Sequence, residues 1–221
     1  MNALRALFAR EMDLAWGRGG GPLLTLGFYA AVTAMLPLAL GPSSARLAAV
    51  AGGVSWVALA LASLLSLESL FARDFDDGAL DLLAMGPLPL EAVAAVKCVA
   101  QWLVGGVPLA LAAPLAAISL GAPSGAAPPI LAVAALGSLA FALVGGTGAA
   151  LAVAARRGGL LIALIVLPLL APPVIFGGAA IEAAAGGAPW TTPLAFLGAW
   201  TLAAVDLAPL AMAAACRNAL S

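Results

Sequence analysis

Histidine is absent from this chain of 221 residues, and charged side chains make up only 9% of it. Without histidine, the chain cannot build a Ser–His nucleophile pair or a histidine-based zinc site. Its one lysine, Lys97, does not follow the Gly-x-x-x-x-Gly pattern of a phosphate-binding loop, so the chain has no ATP-hydrolysing site of that kind. These absences exclude much hydrolytic chemistry from the chain itself.

Apolar sequence is what the chain has in excess. Apolar residues make up 64% of it and form six blocks of 18 or more residues, with most charges between the blocks. A helix needs about 20 apolar residues to cross a hydrocarbon core about 30 Å thick. The sequence therefore predicts an all-α membrane protein with one transmembrane domain, residues 1–221. The six expected spans are 23–40, 47–67, 99–120, 130–155, 160–181 and 194–216.

The basic residues are distributed unevenly among the connections. Eight of the nine Lys and Arg residues lie in the N-terminal tail, the second and fourth connections and the C-terminus, and only Arg46 lies in the other connections. The positive-inside rule then places both termini in the cytoplasm. Because Glu11 and Asp13 precede the first apolar block, we expect no cleavable signal peptide.

Residues 1–21 predict an amphipathic helix ahead of the first span. The apolar side chains that recur at spacings of three and four are Leu4, Leu7, Phe8, Met12, Ala15 and Trp16. The charged side chains that we place on other faces are Arg5, Arg10, Glu11 and Asp13. Such a helix lies in the membrane interface. Two roles stay open, namely anchoring alone and contact with a partner.

The second connection, residues 68–97, holds most of the acidic charge. Asp76-Asp77-Gly78 predicts a turn and an N-cap, residues 79–85 predict a short helix, and Gly86-Pro87-Leu88-Pro89 ends that helix. The helix has Leu80 and Leu83 on an apolar face that nothing in the chain is expected to cover. We therefore predict that it binds a separate soluble subunit. The candidate docking residues are Asp74, Asp77, Gly78, Leu80, Asp81, Leu83, Pro87 and Pro89.

Two other interpretations of this connection stay open. Asp74, Asp77 and Asp81 are spaced three and four apart, which could bring three carboxylates to one side of a helix to hold Mg²⁺ and a diphosphate. Membrane prenyltransferases with such sites have two acidic clusters, however, and this chain has one. The other interpretation is an ordinary solvated loop.

Polar residues within the spans are few. Asp206 is the one acid placed centrally in a span, and intramembrane carboxylates are often functional. We favour a packing role that turns Asp206 toward the bundle interior over an ion or proton site, and we also note Gln101 as a polar residue in a span. Cys98 and Cys216 predict buried free thiols rather than a disulfide.

Two regions carry a resemblance to a known family. The segments LFARDFDDGALDLL at residues 70–83, PLPLEAVAAVK at 87–97 and QWL at 101–103 resemble the cytoplasmic loop of the haem exporter protein B family. The segments RRGGLL at 156–161 and LPLLAPPVIFG at 167–177 are similar to that family's fifth-span region. Chain length, six spans and cytoplasmic termini agree with the family.

The resemblance implies an ABC-2-like six-helix permease with a cytoplasmic coupling helix, in a bacterial inner membrane. It implies a separate ATPase subunit of the haem exporter protein A type, other membrane subunits of cytochrome c maturation, a periplasmic haem chaperone, and two permease copies per complex. Haem would be the transported or handled species, with no tightly bound cofactor and no nucleic acid. The alternatives are a membrane scaffold that transmits the ATPase cycle to chaperone release, and a secondary carrier that uses Asp206.

Overall fold

The structure is a computed structural model, and it describes residues 2–17, 21–41, 44–67, 69–155 and 159–220. These residues form helices and no β-strand. The helices are α1 Asn2–Gly17, α2 Gly21–Leu40, α3 Ser44–Leu67, α4 Ala72–Asp76, α5 Ala79–Ala84, α6 Leu90–Gln101, α7 Val107–Ser119, α8 Ala127–Ala155, α9 Gly159–Ala185 and α10 Thr191–Leu220.

Six helical stretches in the described residues are long and apolar enough to cross a bilayer. They are built on α2, α3, α6 with α7, α8, α9 and α10, so the prediction of an all-α membrane protein with six spans is confirmed. The third stretch begins at Leu90, well before the expected residue 99. Pro89 has the extended backbone of a helix-preceding residue, and the first turns of α6 bury Leu90, Val93 and Ala94. Burial of that apolar side explains the earlier start.

A π-helical turn, Trp102–Gly106, joins α6 to α7 without breaking the helix. The indole Nε1 of Trp102 donates a hydrogen bond of 2.9 Å to Ser138 Oγ of α8. Gly106 lies under the same ring, where an added Cβ would approach Trp102 Cδ1 to 2.5 Å. Such turns are rare in helices and recur at functional sites.

Small residues allow the spans to pack closely around α8, which contacts α3, α7, α9 and α10. Trp56 of α3 occupies the space that side chains on Gly137 and Gly177 would fill, and its indole Nε1 donates to Val174 O at 3.0 Å. Gly145 and Gly146 admit Leu67 and Cys98 in the same way. The glycines of α8 therefore set how near its neighbours can come.

The helix α1 packs on α6 beside the end of the bundle that carries Arg73, Lys97 and Arg217, which we call the basic end. Its helical character agrees with the sequence, but the placement of Glu11 does not. Glu11 lies one turn after Leu7 and is buried on the same side of α1, facing the bundle. The prediction that Glu11 falls on another face is wrong, and its burial is explained by the ion pairs described below.

Candidate docking surface and buried charge cluster

The helices α4 and α5 form a short helical hairpin at the basic end. Asp77 N donates to Arg73 O at 2.9 Å and ends α4. Gly78 then adopts φ 72°, a left-handed conformation that a residue with a Cβ adopts at a cost. No side chain caps α5, so the expected N-cap at Asp76 or Asp77 is not formed. The short helix itself, predicted at residues 79–85, is confirmed at Ala79–Ala84.

Leu80 has 0% of its surface exposed, which contradicts the expectation that nothing in the chain covers it. It belongs to a buried cluster with Phe71, Cys98, Met212 and Cys216. The first turns of α6 and the last turns of α10 supply this cover, and both reach farther toward the basic end than the sequence predicted. Leu80 therefore holds α5 against the bundle and is not an exposed docking residue. Cys98 and Cys216 are free and buried, as expected.

The exposed apolar side chains of the hairpin are Leu82, at 69% exposure, and Met85, at 77%. Leu83 is only half-buried, while Asp77, Asp81, Pro87 and Pro89 are exposed and Gly78 is partly exposed. Sequence periodicity missed Leu82 and Met85 because residues 82–85 are all apolar, so the pattern did not define which side faces the bundle. We call Asp77, Asp81, Leu82, Met85 and Pro87 the outer surface of the hairpin.

A groove lies between this hairpin and the end of α10. Its volume is about 540 Å³, and it is lined by Ala84, Gly86, Pro87, Leu88, Pro89, Leu90, Arg217 and Leu220. The carboxylate of Glu91 accepts a 2.5 Å hydrogen bond from Arg217 and joins α6 to α10 at this place. The groove extends the outer surface toward the C-terminus of α10.

Four charged side chains meet under the hairpin, and we call Arg10, Glu11, Asp74 and Lys97 the charge cluster. Lys97 Nζ donates to Glu11 Oε2 at 2.9 Å and forms an ion pair with Asp74. Arg10 donates to Asp74 Oδ1 at 2.7 Å and to Glu11 Oε1 at 2.5 Å. Two cations and two anions thus alternate, and they connect α1, α4 and α6.

Burial makes this pairing essential for Glu11, Asp74 and Lys97, whereas the Arg10 side chain is partly exposed. Lys97 is 2% exposed, and its ammonium also lies 5.8 Å from the centre of the Phe71 ring. A buried ammonium or carboxylate without a partner is strongly unfavourable, so each group depends on the others. The hydrogen bond from Arg10 to Asp74 is the main cause that raises the pKa of the Arg10 guanidinium, which stays charged. A cavity of about 80 Å³ next to the cluster is lined in part by Gln101.

Comparison with known proteins finds sequence similarity over nearly the whole chain. A sequence model described as "CcmB protein" matches residues 2–219. The chain belongs to the CcmB protein family. It is 48% identical over 214 residues to the "Heme exporter protein B" of Paracoccus denitrificans, with 97% of this chain and 98% of that protein covered.

Two further relatives of this CcmB family member carry the same name. The protein of Rhodobacter capsulatus is 45% identical over 97% of this chain and 98% of its own length. The protein of Pseudomonas aeruginosa is 41% identical over 96% of each chain. The similarity covers the spans, the hairpin and α1 together.

The other candidate residues lie apart from the outer surface. Asp74 is buried on Arg10 and Lys97, so it is not an exposed docking residue, whereas Asp77 and Asp81 face solvent. Among the described residues no group of three His, Cys, Asp or Glu could hold a metal ion, and the three carboxylates do not converge as the diphosphate interpretation requires. Asp206 is exposed on α10, which contradicts the expectation that it faces the bundle interior.

Sequence reasoning missed the charge cluster as a unit. Lys97 was expected at the end of the second connection, although it follows the apolar residues 93–96 and stands inside a helical stretch that is long and apolar enough to cross a bilayer. A charged residue in such a setting needs partners of opposite sign. That signal could have identified Lys97, but not Glu11 and Asp74 as its partners.

Proposed function

We propose that this CcmB family member is the membrane permease subunit of an ABC transporter that handles haem during c-type cytochrome biogenesis. The observation that carries this proposal is the 39–48% identity, over nearly the full length, to proteins named Heme exporter protein B. Six apolar helices fit a multi-pass protein of the bacterial inner membrane. The chain lacks a phosphate-binding loop, so ATP is hydrolysed by a separate subunit of the haem exporter protein A type.

The ATPase subunit docks on the outer surface of the hairpin. Leu82 and Met85 are two large apolar side chains exposed beside Pro87, and they lie outside the lipid-crossing part of the chain. An apolar pair of this kind, bordered by Asp77 and Asp81, has the composition of a small interface centre with a polar rim. Leu80, which the sequence had placed in the interface, instead packs against the bundle and holds the hairpin on it.

Movement of the hairpin reaches the spans through the charge cluster. Asp74 is the residue of α4 that contacts Arg10 of α1 and Lys97 of α6. Because both contacts are short and Asp74 is buried, a shift of α4 displaces α1, α6 or both. The π-helical turn after α6 gives that span a place to adjust in register.

The basic end faces the cytoplasm in this proposal, since eight of the nine Lys and Arg residues belong to the tail, connections and terminus on that side. Residues 1–221 then act as one permease domain, with both termini cytoplasmic and two copies per complex. Other maturation subunits and a periplasmic haem chaperone complete the assembly. Of the alternatives, the scaffold that drives chaperone release keeps the same ATPase contact. The carrier is less well supported, because the structure exposes Asp206 on the outside of α10 and not toward the interior of the bundle.

The transporter and the scaffold are distinguished by reconstitution. The purified complex is placed in sealed vesicles with haem on the ATPase side, and haem in the lumen and release of the bound chaperone are measured with and without ATP. ATP-dependent accumulation of haem supports the permease. Chaperone release without haem accumulation assigns the chain to the scaffold, and the absence of both contradicts the proposal.

A further inference from the structure

Asp206 lies at the middle of α10, on the side of the helix that is turned away from the bundle. The helix is long and apolar enough to cross a bilayer. None of the residues that the structure describes forms an ion pair or a hydrogen bond with the Asp206 side chain. An ionisable side chain at that depth is unfavourable against lipid, and such residues normally face protein or water. The exposed side of α10 therefore presents an acid that still needs a polar partner.

The neighbours of Asp206 on this side are exposed and suit contact with another helix. They are Ala199, Leu202, Ala203 and Leu210, and with Asp206 they form what we call the outer face of α10. Ala199 and Ala203 stand four residues apart, a spacing of small side chains that lets a second helix approach closely within a membrane. Lipid could cover the apolar side chains of this face. Asp206 is the residue that needs a polar partner, which lipid tails do not offer.

A second polar group next to this face also lacks a partner. An apolar groove of about 130 Å³ runs beside Ala203 and Leu207 and is lined by Thr147, Leu169 and Trp200 as well. The indole Nε1 of Trp200 is buried there without an acceptor among the described residues. Two unpaired polar groups, one acid and one donor, thus flank the same stretch of α10.

The charge of Asp206 decides which occupant fits. A second copy of this chain has no basic side chain to offer at that depth, because Lys97 is already paired with Glu11 and Asp74. The other eight basic residues lie in the tail, in connections or at the ends of spans. Two copies joined through this face would instead bring acid toward acid. The complementary group is a Lys or Arg on a different chain.

We propose that the outer face of α10 binds a transmembrane helix of a different membrane subunit, and that a Lys or Arg of this helix pairs with Asp206 near the middle of the bilayer. This surface is on a different part of the molecule from the hairpin, so the proposal does not rest on ATPase docking. It goes beyond the family relationship by assigning the surface and the chemistry of its partner.

Photo-crosslinking in membranes that contain the complete complex tests this proposal. A benzophenone amino acid replaces Leu202 on the outer face, and, as the matched control, Val57, an exposed apolar residue at the middle of α3. The crosslinked peptide is identified by mass spectrometry. We expect Leu202, and not Val57, to crosslink to a helix of another subunit that has a Lys or Arg within about one turn of the crosslink.

Charge exchange then tests the pairing itself. Asp206→Asn should lower the Leu202 crosslink by about tenfold, since the partner's cation loses its counter-ion. Asp13→Asn, which removes an exposed carboxylate from α1, should not change it. Asp206→Lys combined with exchange of the partner's basic residue for Asp should restore the crosslink. A crosslink to a second copy of this chain, to a helix without a basic residue or to lipid alone overturns the proposal, as does an unchanged yield with Asp206→Asn.

Discussion

Lys97 of α6 and Glu11 of α1 form a hydrogen-bonded ion pair of 2.9 Å, although 86 residues separate them in the chain. The pair joins a helix that precedes the first span to the beginning of the third. Both side chains are buried, so the contact is protected from solvent and weakly screened by salt. It joins α1 to the bundle directly, in addition to the apolar contact that buries Leu7.

Lys97→Met should lower the free energy of unfolding by about 3–5 kcal/mol, because it leaves Glu11 and Asp74 buried with only Arg10 as a cation. Thermal unfolding of the detergent-purified protein measures this loss. Arg5→Met, which removes an exposed cation from α1, should change the same quantity by about 0.5 kcal/mol or less.

The double variant Lys97→Met with Glu11→Gln measures how much the Lys97–Glu11 ion pair itself contributes to stability, apart from the changes in side-chain size. With both charges removed, Arg10 and Asp74 remain a neutral pair, so the double variant should be more stable than the sum of the two single effects predicts, by about 0.5–3 kcal/mol. Strict additivity of the two substitutions would show that the ion pair does not stabilise the protein.

Leu80 and Leu82 make a matched pair for the two sides of α5. Leu80→Ala should destabilise the protein by about 2–5 kcal/mol, because it opens a cavity among Phe71, Cys98 and Met212. Leu82→Ala removes a side chain that is 69% exposed and should cost about 0.5 kcal/mol or less. Thermal unfolding of the two purified variants gives the comparison, and equal losses would contradict the burial of Leu80.

Sequence alone was enough for the number and nature of the spans, since length and apolarity decide both within each segment. The side of α5 that faces the bundle could not be predicted in this way. Its cover comes from Met212 and Cys216, more than 100 residues later in the chain, and residues 82–85 offered no polar position to define a face. Local periodicity therefore favoured Leu80 and Leu83, and tertiary packing exposed Leu82 and Met85 instead.

The placements of Glu11 and Asp206 were also predicted wrongly, because the contacts of a charged side chain depend on residues far away in the sequence or on other chains. Glu11 was expected on a face other than that of the apolar side chains. Its position one turn after Leu7 was the better guide, because Lys97 is present in the bundle as its partner. Asp206 was expected to face the bundle interior as a packing residue, and the structure exposes it instead. An expectation made for the chain alone does not hold if another subunit covers this side of α10, as we propose above.

The proposed membrane orientation rests on the distribution of Lys and Arg, and labelling of intact cells tests it. Ser124→Cys and Thr191→Cys place an exposed thiol at the end opposite to the basic end, whereas Met85→Cys places one on the hairpin. A membrane-impermeant maleimide should label the first two from outside and Met85→Cys only after the membrane is opened. Cys98 and Cys216 are buried and should give little background. Labelling of Met85→Cys from outside would reverse the proposed orientation.

Leu82→Ala combined with Met85→Ala should weaken binding of the ATPase subunit while leaving the bundle intact. Burial of each side chain at an interface is worth about 1.5–3 kcal/mol, so loss of both should raise the dissociation constant by at least tenfold. Co-purification of the ATPase subunit from membranes measures this effect.

The matched control is Met35→Ala with Leu38→Ala, which removes one exposed Met and one exposed Leu from α2, far from the basic end. Asp77→Asn with Asp81→Asn should have a smaller effect than the Leu82 and Met85 pair, because exposed ion pairs contribute about 0–1 kcal/mol. Retention of the ATPase subunit at the level of the control would exclude the outer surface of the hairpin as its binding site.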